Sequence, residues 1–157
     1  RIVFFVAYVY IISFMKDVKR LFMYHGAEHK VVNCYENGDK VNLKNSEKYK
    51  TIHKRCGTSF LLVVFLVAII SFSLIDMLFF YYLGKTSVLI RTAVHLLLLP
   101  IIFGISYEIL KLASKKNNFL ANALLYQGAL LQRITTAEPD EDMIKVAIAA
   151  LNKITGK

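Results

Sequence analysis

The chain has 157 residues, 56% of them hydrophobic, and a formal net charge of +9. A soluble domain holds roughly 45–50% apolar residues, whereas here the apolar residues form long blocks with the charges between them. This pattern argues against an ordinary soluble domain and is typical of a membrane protein with basic flanks. The two cysteines, Cys34 and Cys56, are too few for a disulfide scaffold.

The first apolar block, Ile2 to Met15, contains no charged residue. It is shorter than the roughly 20 residues that cross the hydrocarbon core of a bilayer. Because the chain begins inside this run, we expect preceding residues to complete a first spanning helix. We do not interpret the run as a signal peptide, since no polar spacer or small-residue cleavage site follows it.

A polar and basic segment follows, which we treat as a loop over residues 16–58. We predict that it opens with a helix that continues to about Tyr35. A turn is expected at Glu36–Lys40, because Asn, Gly and Asp favour turns. Val41–Lys50 is predicted to form a small strand and then a helical turn that starts at Asn45 or Ser46.

Two further apolar blocks are long enough to span a bilayer. Phe60–Leu83 has 24 residues and only one charge. Val88–Leu112 is the next candidate, and the intervening Gly84–Ser87 predicts a tight turn. Residues 60–112 are therefore expected to form a transmembrane hairpin.

The remaining residues, 113–157, are predicted to form a tail of amphipathic helices. One extends over Asn118–Arg133, and another begins near Pro139, where acidic residues in the first turn complement the helix dipole. The predicted fold class is therefore all-α: an integral membrane helical protein, one membrane domain over 1–157, with about three spanning helices plus cytoplasmic amphipathic helices.

The charge distribution predicts the orientation in the membrane. The segment Lys16–Arg55 holds ten Lys and Arg residues, whereas the turn after the second span holds only Lys85. The positive-inside rule then places the loop and the tail in the cytoplasm of a multi-pass plasma-membrane protein. A thiolate ligand would survive in that reducing compartment.

His25, Glu28 and His29 carry the first chemical signal, because residues at i, i+3 and i+4 share one face of a helix. This is the H-x-x-E-H order of inverzincin metallopeptidases. Two imidazoles one turn apart can bind one metal ion, and a neighbouring carboxylate can act as a base on water. The downstream glutamate ligand of those peptidases is not identifiable here, which argues against a straightforward peptidase.

His53 and Cys56, at i and i+3, supply a second pair of donors. Together with the first two histidines they make a nitrogen and sulfur set suited to zinc or another divalent transition metal. If all four bind, the site is closed and structural. If three bind, Glu28 is the candidate base and Arg55 the group that stabilises an oxyanion or holds a phosphate. Glu36 is the alternative carboxylate ligand.

Ionisable residues inside the apolar blocks require partners. We predict an ion pair between Asp76 and Arg91 across the hairpin, and we expect His95 to be a packed histidine. Glu108, near the cytoplasmic end of the last apolar block, could reach the candidate metal ligands described above. A transporter would need Asp76, His95 and Glu108 to line one cavity.

The basic loop predicts attraction to anionic lipid of the bilayer and offers a surface for a protein partner. Nothing in the sequence resembles a nucleic-acid-binding motif, so we predict no specific nucleic-acid partner.

Five motifs together resemble the YqhQ family of bacterial multi-pass membrane proteins, whose function is unknown and which is described as a predicted metal-dependent enzyme. The motifs are Tyr24–Lys30, Cys34–Glu36, His53–Phe60, Ser106–Glu108 and Leu131–Pro139. The chain departs from the family at Lys54, where the family has Pro, and at Ala137, where it has Arg. The family's glycine-rich N-terminal segment is not among these 157 residues.

Three functions are consistent with this sequence. The first is a zinc-dependent hydrolase acting at the membrane surface, with Glu28 as base and Arg55 as electrostatic helper. The second is a non-catalytic scaffold or protein-biogenesis factor with a structural zinc site. The third is a transporter.

Overall fold

The structure is a computed structural model that describes residues 2–84, 87–116 and 118–156. Over these residues it consists of seven α-helices without a strand, as the all-α prediction requires. The helices are α1 Ile2–Ile12, α2 Lys16–Glu36, α3 Leu43–Ser46, α4 Gly57–Leu83, α5 Val88–Lys115, α6 Phe119–Thr135 and α7 Glu141–Thr155.

The chain divides into two compact units. The first, here the polar unit, comprises Arg1–Lys54 and Ala129–Lys157. The second, the apolar unit, comprises Arg55–Gly128. Each is described below by itself.

The core of the polar unit lies between α2 and α7. Ala27 and Val31 of α2 are buried against Met143 and Ile144 of α7. These residues recur at intervals of one or four positions, so each helix presents one apolar stripe. The stripe of α7 continues through Ala147, Ile148 and Leu151, which pack against this core.

Local sequence explains where α2 ends and where α7 begins. Gly38, with φ of 79°, lies just beyond the end of α2, where a left-handed residue satisfies the last carbonyls. The predicted end of α2 near Tyr35 is therefore confirmed to within one residue. At the start of α7, the side chain of Asp140 caps the helix by accepting a 2.8 Å hydrogen bond from the Met143 backbone N–H.

The small strand expected within Val41–Lys50 was wrong. The segment instead contains α3, which starts before the predicted Asn45 or Ser46. The side chain of Asn42 accepts a 2.9 Å hydrogen bond from the Asn45 backbone N–H. This N-cap stabilises a helical turn where apolar alternation is too short to favour a strand.

The apolar unit is built on α4 and α5, which pack against each other. Both are long and apolar enough to cross a membrane. The first apolar helix, α1, is shorter, so the third span stays a prediction. Of the turn expected at Gly84–Ser87, Lys85 and Thr86 lie outside the described residues.

The ion pair predicted between α4 and α5 is confirmed. Arg91 donates from Nε to Oδ1 of Asp76 at 2.9 Å, and its Nη2 contacts the other carboxylate oxygen. His95 Nε2 lies 3.2 Å from the same Asp76 Oδ1, and its ring stacks on Phe72 with 4.2 Å between centroids. His95 is thus a packed histidine, as expected.

Glu108 lies thirteen residues beyond His95 on α5, which is about 20 Å along a helix. Its carboxylate accepts a 3.0 Å hydrogen bond from Lys111, one turn further on. Glu108 therefore lies far along α5 from His95 and pairs with Lys111 on its own helix.

Candidate metal centre

His25 and His29 lie one turn apart on α2, and their ring centroids are 4.3 Å apart. His29 is only 4% exposed. Two imidazoles in this arrangement can bind a single metal ion. The helical spacing predicted from the sequence therefore brings these two rings together.

Each of these rings is tied to a backbone carbonyl through Nδ1. His25 Nδ1 lies 2.8 Å from the carbonyl oxygen of Thr135, the last residue of α6. His29 Nδ1 lies 2.5 Å from the carbonyl oxygen of Thr51. Because a carbonyl oxygen only accepts hydrogen bonds, Nδ1 carries the proton in both rings. In the neutral form, the lone pair of each imidazole is therefore on Nε2.

His53 is the third imidazole of the polar unit. Its ring centroid lies 5.8 Å from that of His29, and its Nε2 lies 3.1 Å from Oε2 of Glu36. Glu36 is the last residue of α2, and we considered it as an alternative ligand. In the structure it contacts His53 instead. Within the polar unit, His53 therefore lies beside His29.

The backbone of His53 is held by Gln132 of α6. The His53 N–H donates to Gln132 Oε1 at 2.8 Å, and Gln132 Nε2 donates to the His53 carbonyl at 2.9 Å. Gln132 is 1% exposed, so water does not compete for these bonds. One side chain thereby fixes the peptide groups on both sides of the His53 Cα.

A close approach at Gly26 holds the chain after α6 against α2. A Cβ at Gly26 would overlap the carbonyl oxygen of Ala137, and the Ala137 N–H donates to the Phe22 carbonyl at 2.9 Å. Only glycine allows this approach. This approach keeps the segment after α6 beside the face of α2 that carries His25, whose ring contacts the Thr135 carbonyl.

The remaining predicted site residues are placed differently. Glu28, between the two histidines of α2, is exposed. Arg55 is exposed in the apolar unit. Cys56, also in the apolar unit, is the N-cap of α4, where its Sγ accepts a hydrogen bond from the Thr58 N–H at 3.4 Å.

Near the end of α2, Asp39 accepts a 2.6 Å hydrogen bond from the hydroxyl of Tyr49. This hydrogen bond, with smaller contributions from desolvation and the carboxylate charge, raises the pKa of Tyr49 to about 12. The bond favours the neutral phenol, and it ties the end of α2 to the segment after α3.

Sequence reasoning did not find the role of Gln132 or of the Thr51 and Thr135 carbonyls. A backbone carbonyl has no sequence signature, so its role could not be predicted. Gln132 does lie in the Leu131–Pro139 motif that carried the family resemblance. The available signal was that the polar Gln132 directly follows the apolar Leu131 near the end of an amphipathic helix.

The fold and the site together define a helical protein with two helices of membrane-crossing length and a histidine cluster. Over residues 1–157 the chain matches the family described as "Protein of unknown function (DUF1385)", and it belongs to that family. It is 36% identical over 156 residues to the uncharacterized protein YqhQ of Bacillus subtilis (strain 168), covering 98% of this chain and 46% of that protein. The chain thus spans about half the length of this relative, and the YqhQ resemblance is confirmed. No solved structure matches the chain.

Proposed function

We propose that this chain is a membrane protein with a zinc-type divalent metal centre whose ligands are His25, His29, His53 and Cys56. The observation that carries the proposal is the pair of Nδ1–carbonyl contacts made by His25 and His29. Metal-binding histidines characteristically donate the other ring N–H to a carbonyl or carboxylate, which fixes the tautomer and the ring orientation. The contacts of His25 and His29 have this arrangement, in which a metal ion would bind through Nε2 of each ring.

The donor chemistry also fits. Imidazole nitrogen and thiolate sulfur are the donors of zinc sites, and the proposed ligands supply both. Cys56 follows His53 by three residues, so the chain between them spans about 11 Å at most. This short tether supports Cys56 as the sulfur donor.

The membrane assignment is supported by the surfaces of α4 and α5. A buried helix of a soluble protein would hide its apolar side chains, but here many are exposed. Examples are Ile70, Phe80, Leu89 and Leu97, which are all more than 60% exposed. We propose that both helices cross the plasma membrane of a bacterium, with the metal centre on the cytoplasmic side where the basic segment lies.

The arrangement best supports a closed site with a structural role. Four protein donors leave no position for a substrate, and structural zinc sites contribute folding free energy directly. The carbonyls that orient the rings belong to Thr51 and Thr135, so an ion here would fasten α2 to the segment before α4 and to the end of α6. The protein would then be a membrane scaffold, with its basic face available to a protein partner.

A hydrolase is the second candidate, and the exposure of Glu28 beside the buried His29 favours it. An exposed carboxylate next to the centre is accessible to water and substrate. In this case only three of the side chains would bind the ion, Glu28 would accept a proton from water, and Arg55 would stabilise negative charge.

Metal analysis of the purified chain tests the centre. Wild type is expected to retain about one zinc per chain, and His25→Ala and Cys56→Ala are expected to lose it. His95→Ala is the matched control, because it removes a histidine that contacts Asp76 in the apolar unit. Metal-free wild type would contradict the proposal, and retention by both site variants would contradict this ligand set.

Removal of the ion distinguishes the two roles. If the site is structural, a chelator lowers the unfolding temperature of wild type, and Glu28→Gln retains both metal and stability. In a cobalt-substituted protein, an added anion such as azide should leave the visible spectrum unchanged, because no ligand position is open. A spectral change on adding azide would favour the hydrolase.

A further inference from the structure

We infer that the first turns of α2 are a docking surface for anionic phospholipid. The cations of Lys16, Lys19 and Arg20, here the basic turn, bind headgroup phosphates, and the apolar side chains of Phe14 and Leu21 enter the edge of the acyl region. This inference rests on the proposed membrane location of the chain and is independent of the metal centre. It narrows the expected attraction of the basic segment for anionic lipid to one short stretch of helix.

The chain changes from apolar to basic at a break between two helices. The eleven residues of α1 include no charge, and α2 starts with Lys16. Met15, between the two helices, has an extended backbone with φ of −70° and ψ of 134°, so α1 and α2 are not one continuous helix. The basic turn thus begins a new helix directly beyond an apolar one, where basic residues next to a membrane-embedded segment meet anionic headgroups.

The three cations of the basic turn are exposed and share one face of α2, because they lie three and four positions apart. Among the residues that the structure describes, none of the three contacts a carboxylate. Lys111 and Lys145, by contrast, each pair with a carboxylate three residues earlier on the same helix. The positive charge of the basic turn is therefore available to an external anion.

The packing of α2 does not account for these cations. Lys16 and Arg20 are followed at helical intervals by Met23, Ala27 and Val31, which belong to the core shared with α7. The face that is apolar in the core is thus basic and exposed at the start of the helix, so the basic turn lies beyond the packed core. Cations in a first turn are also disfavoured by the positive end of the helix dipole, so helix stability does not explain them either.

Exposed apolar side chains flank the basic turn and favour a lipid over a soluble anion. Tyr10, Phe14, Met15 and Leu21 are all more than half exposed. The rings of Tyr10 and Phe14 pack edge to face, with 5.1 Å between centroids, and aromatic side chains are enriched at membrane–water interfaces. A free phosphate would leave this apolar surface in water. A phospholipid offers an anion for the cations and hydrocarbon for their apolar neighbours, as at helices that lie in the interface.

Binding of phosphatidylglycerol by the full chain in neutral detergent micelles tests the role of the cations. Wild type is expected to bind this lipid more tightly than phosphatidylcholine. Each cation at an anionic surface contributes roughly 5-fold, so the triple variant Lys16→Gln, Lys19→Gln, Arg20→Gln is expected to raise the Kd for phosphatidylglycerol on the order of 100-fold. Inorganic phosphate at the same concentration should not displace the lipid. Displacement would assign the basic turn to a free phosphate and overturn the inference.

The matched control is the triple variant Lys44→Gln, Lys48→Gln, Lys50→Gln, which makes the same charge change at three exposed positions of the polar unit. The carbonyl of Lys50 accepts a hydrogen bond from Asn33, which is thirteen residues, or about 20 Å, along α2 from Arg20. Screening at physiological salt makes charges at that distance nearly independent, so the Kd of the control should stay close to wild type. Equal weakening by both triple variants would show attraction by net charge alone and would overturn the inference.

Methyl spectra of the full chain in bicelles of phosphatidylglycerol and phosphatidylcholine test the apolar contact. A lipid with a spin label on its acyl chain should broaden the methyl signals of Leu21. Val146 of α7 is the control, since it is also an exposed apolar residue of the polar unit, and its signals should remain sharp. Equal broadening at the two residues, or none at Leu21, would contradict the docking surface.

Failure of this inference differs from failure of the proposed function. If the purified chain stays in solution without detergent or lipid, the membrane location is wrong and the docking surface with it. If the chain is held in the membrane but binds both lipids equally, the docking surface alone is wrong, and the basic turn is left to a protein partner. His25→Ala should lose zinc and keep the wild-type Kd for phosphatidylglycerol, because the metal centre takes no part.

Discussion

The ammonium group of Lys30, a buried residue of α2, lies 2.5 Å from a carboxylate oxygen of Glu138, whose side chain is 73% exposed. Lys30 also donates to the backbone carbonyl of Glu47 at 3.0 Å. A buried ammonium group is costly without such partners. The pair therefore ties α2 to the segment that leads into α7.

Glu138→Gln is predicted to lower the free energy of unfolding by about 1 kcal/mol, because Lys30 loses its anionic partner but keeps the Glu47 carbonyl. The measurement is reversible unfolding in mixed micelles. Glu47→Gln is the control, since it makes the same charge change and keeps the carbonyl. Equal effects of the two variants would show that the ion pair contributes nothing specific.

Gly26→Ala is predicted to destabilise the protein by about 1–3 kcal/mol, because its methyl group would meet the Ala137 backbone. Gly104→Ala is the contrasting variant. Gly104 lies within α5, and among the described residues a Cβ there would meet no atom within 4 Å beyond its own stretch of helix. The better helix propensity of alanine should therefore make that change neutral or stabilising. Unfolding temperatures of both variants, compared with wild type, check the pair of expectations.

Asp76 and Arg91 are predicted to be energetically coupled. Removing one charge leaves the other without its ion-pair partner in an apolar helix. The separate effects of Asp76→Asn and Arg91→Gln should therefore sum to more than the effect of the double variant. A double-mutant cycle should give a coupling free energy of about 0.5–3 kcal/mol. The exposed pair Glu108 and Lys111 is the control cycle, and its coupling should stay within about 1 kcal/mol.

The hydroxyl of Tyr49 is predicted to lose its proton at a higher pH than an ordinary tyrosine does. Its pKa is raised to about 12 by the hydrogen bond to Asp39, so the contribution of this bond to stability is fully present below the ordinary tyrosine pKa of about 10. It is lost as the pH rises from there through about 12. The difference in phenolate absorbance between wild type and Tyr49→Phe isolates the titration of this group. Asp39→Asn should lower the pKa of Tyr49 toward the ordinary tyrosine value. A Tyr49 signal that is unchanged in Asp39→Asn would refute the assigned cause.

Much of the fold could be predicted because its signals are local. The apolar blocks that became α4 and α5, the end of α2 and the acidic start of α7 all depend on neighbouring residues. The Asp76–Arg91 pair was also predictable, since a tight hairpin leaves few partners for a charge within an apolar helix.

The surroundings of the site could not be predicted in this way. Gln132 is 79 positions from His53, and Thr135 is 110 positions from His25, so tertiary packing decides both contacts. The failed strand near Val41 has a different cause. There a side-chain cap at Asn42 outweighed a weak β preference.

The contact between His25 and the Thr135 carbonyl also has a consequence for biosynthesis. Translation proceeds from the N-terminus, so α4 and α5 have both been synthesised before Thr135 leaves the ribosome. The orientation of the His25 ring thus depends on a carbonyl that is synthesised 110 residues later. The histidine cluster can reach its final geometry only at a late step, after both apolar helices have been synthesised.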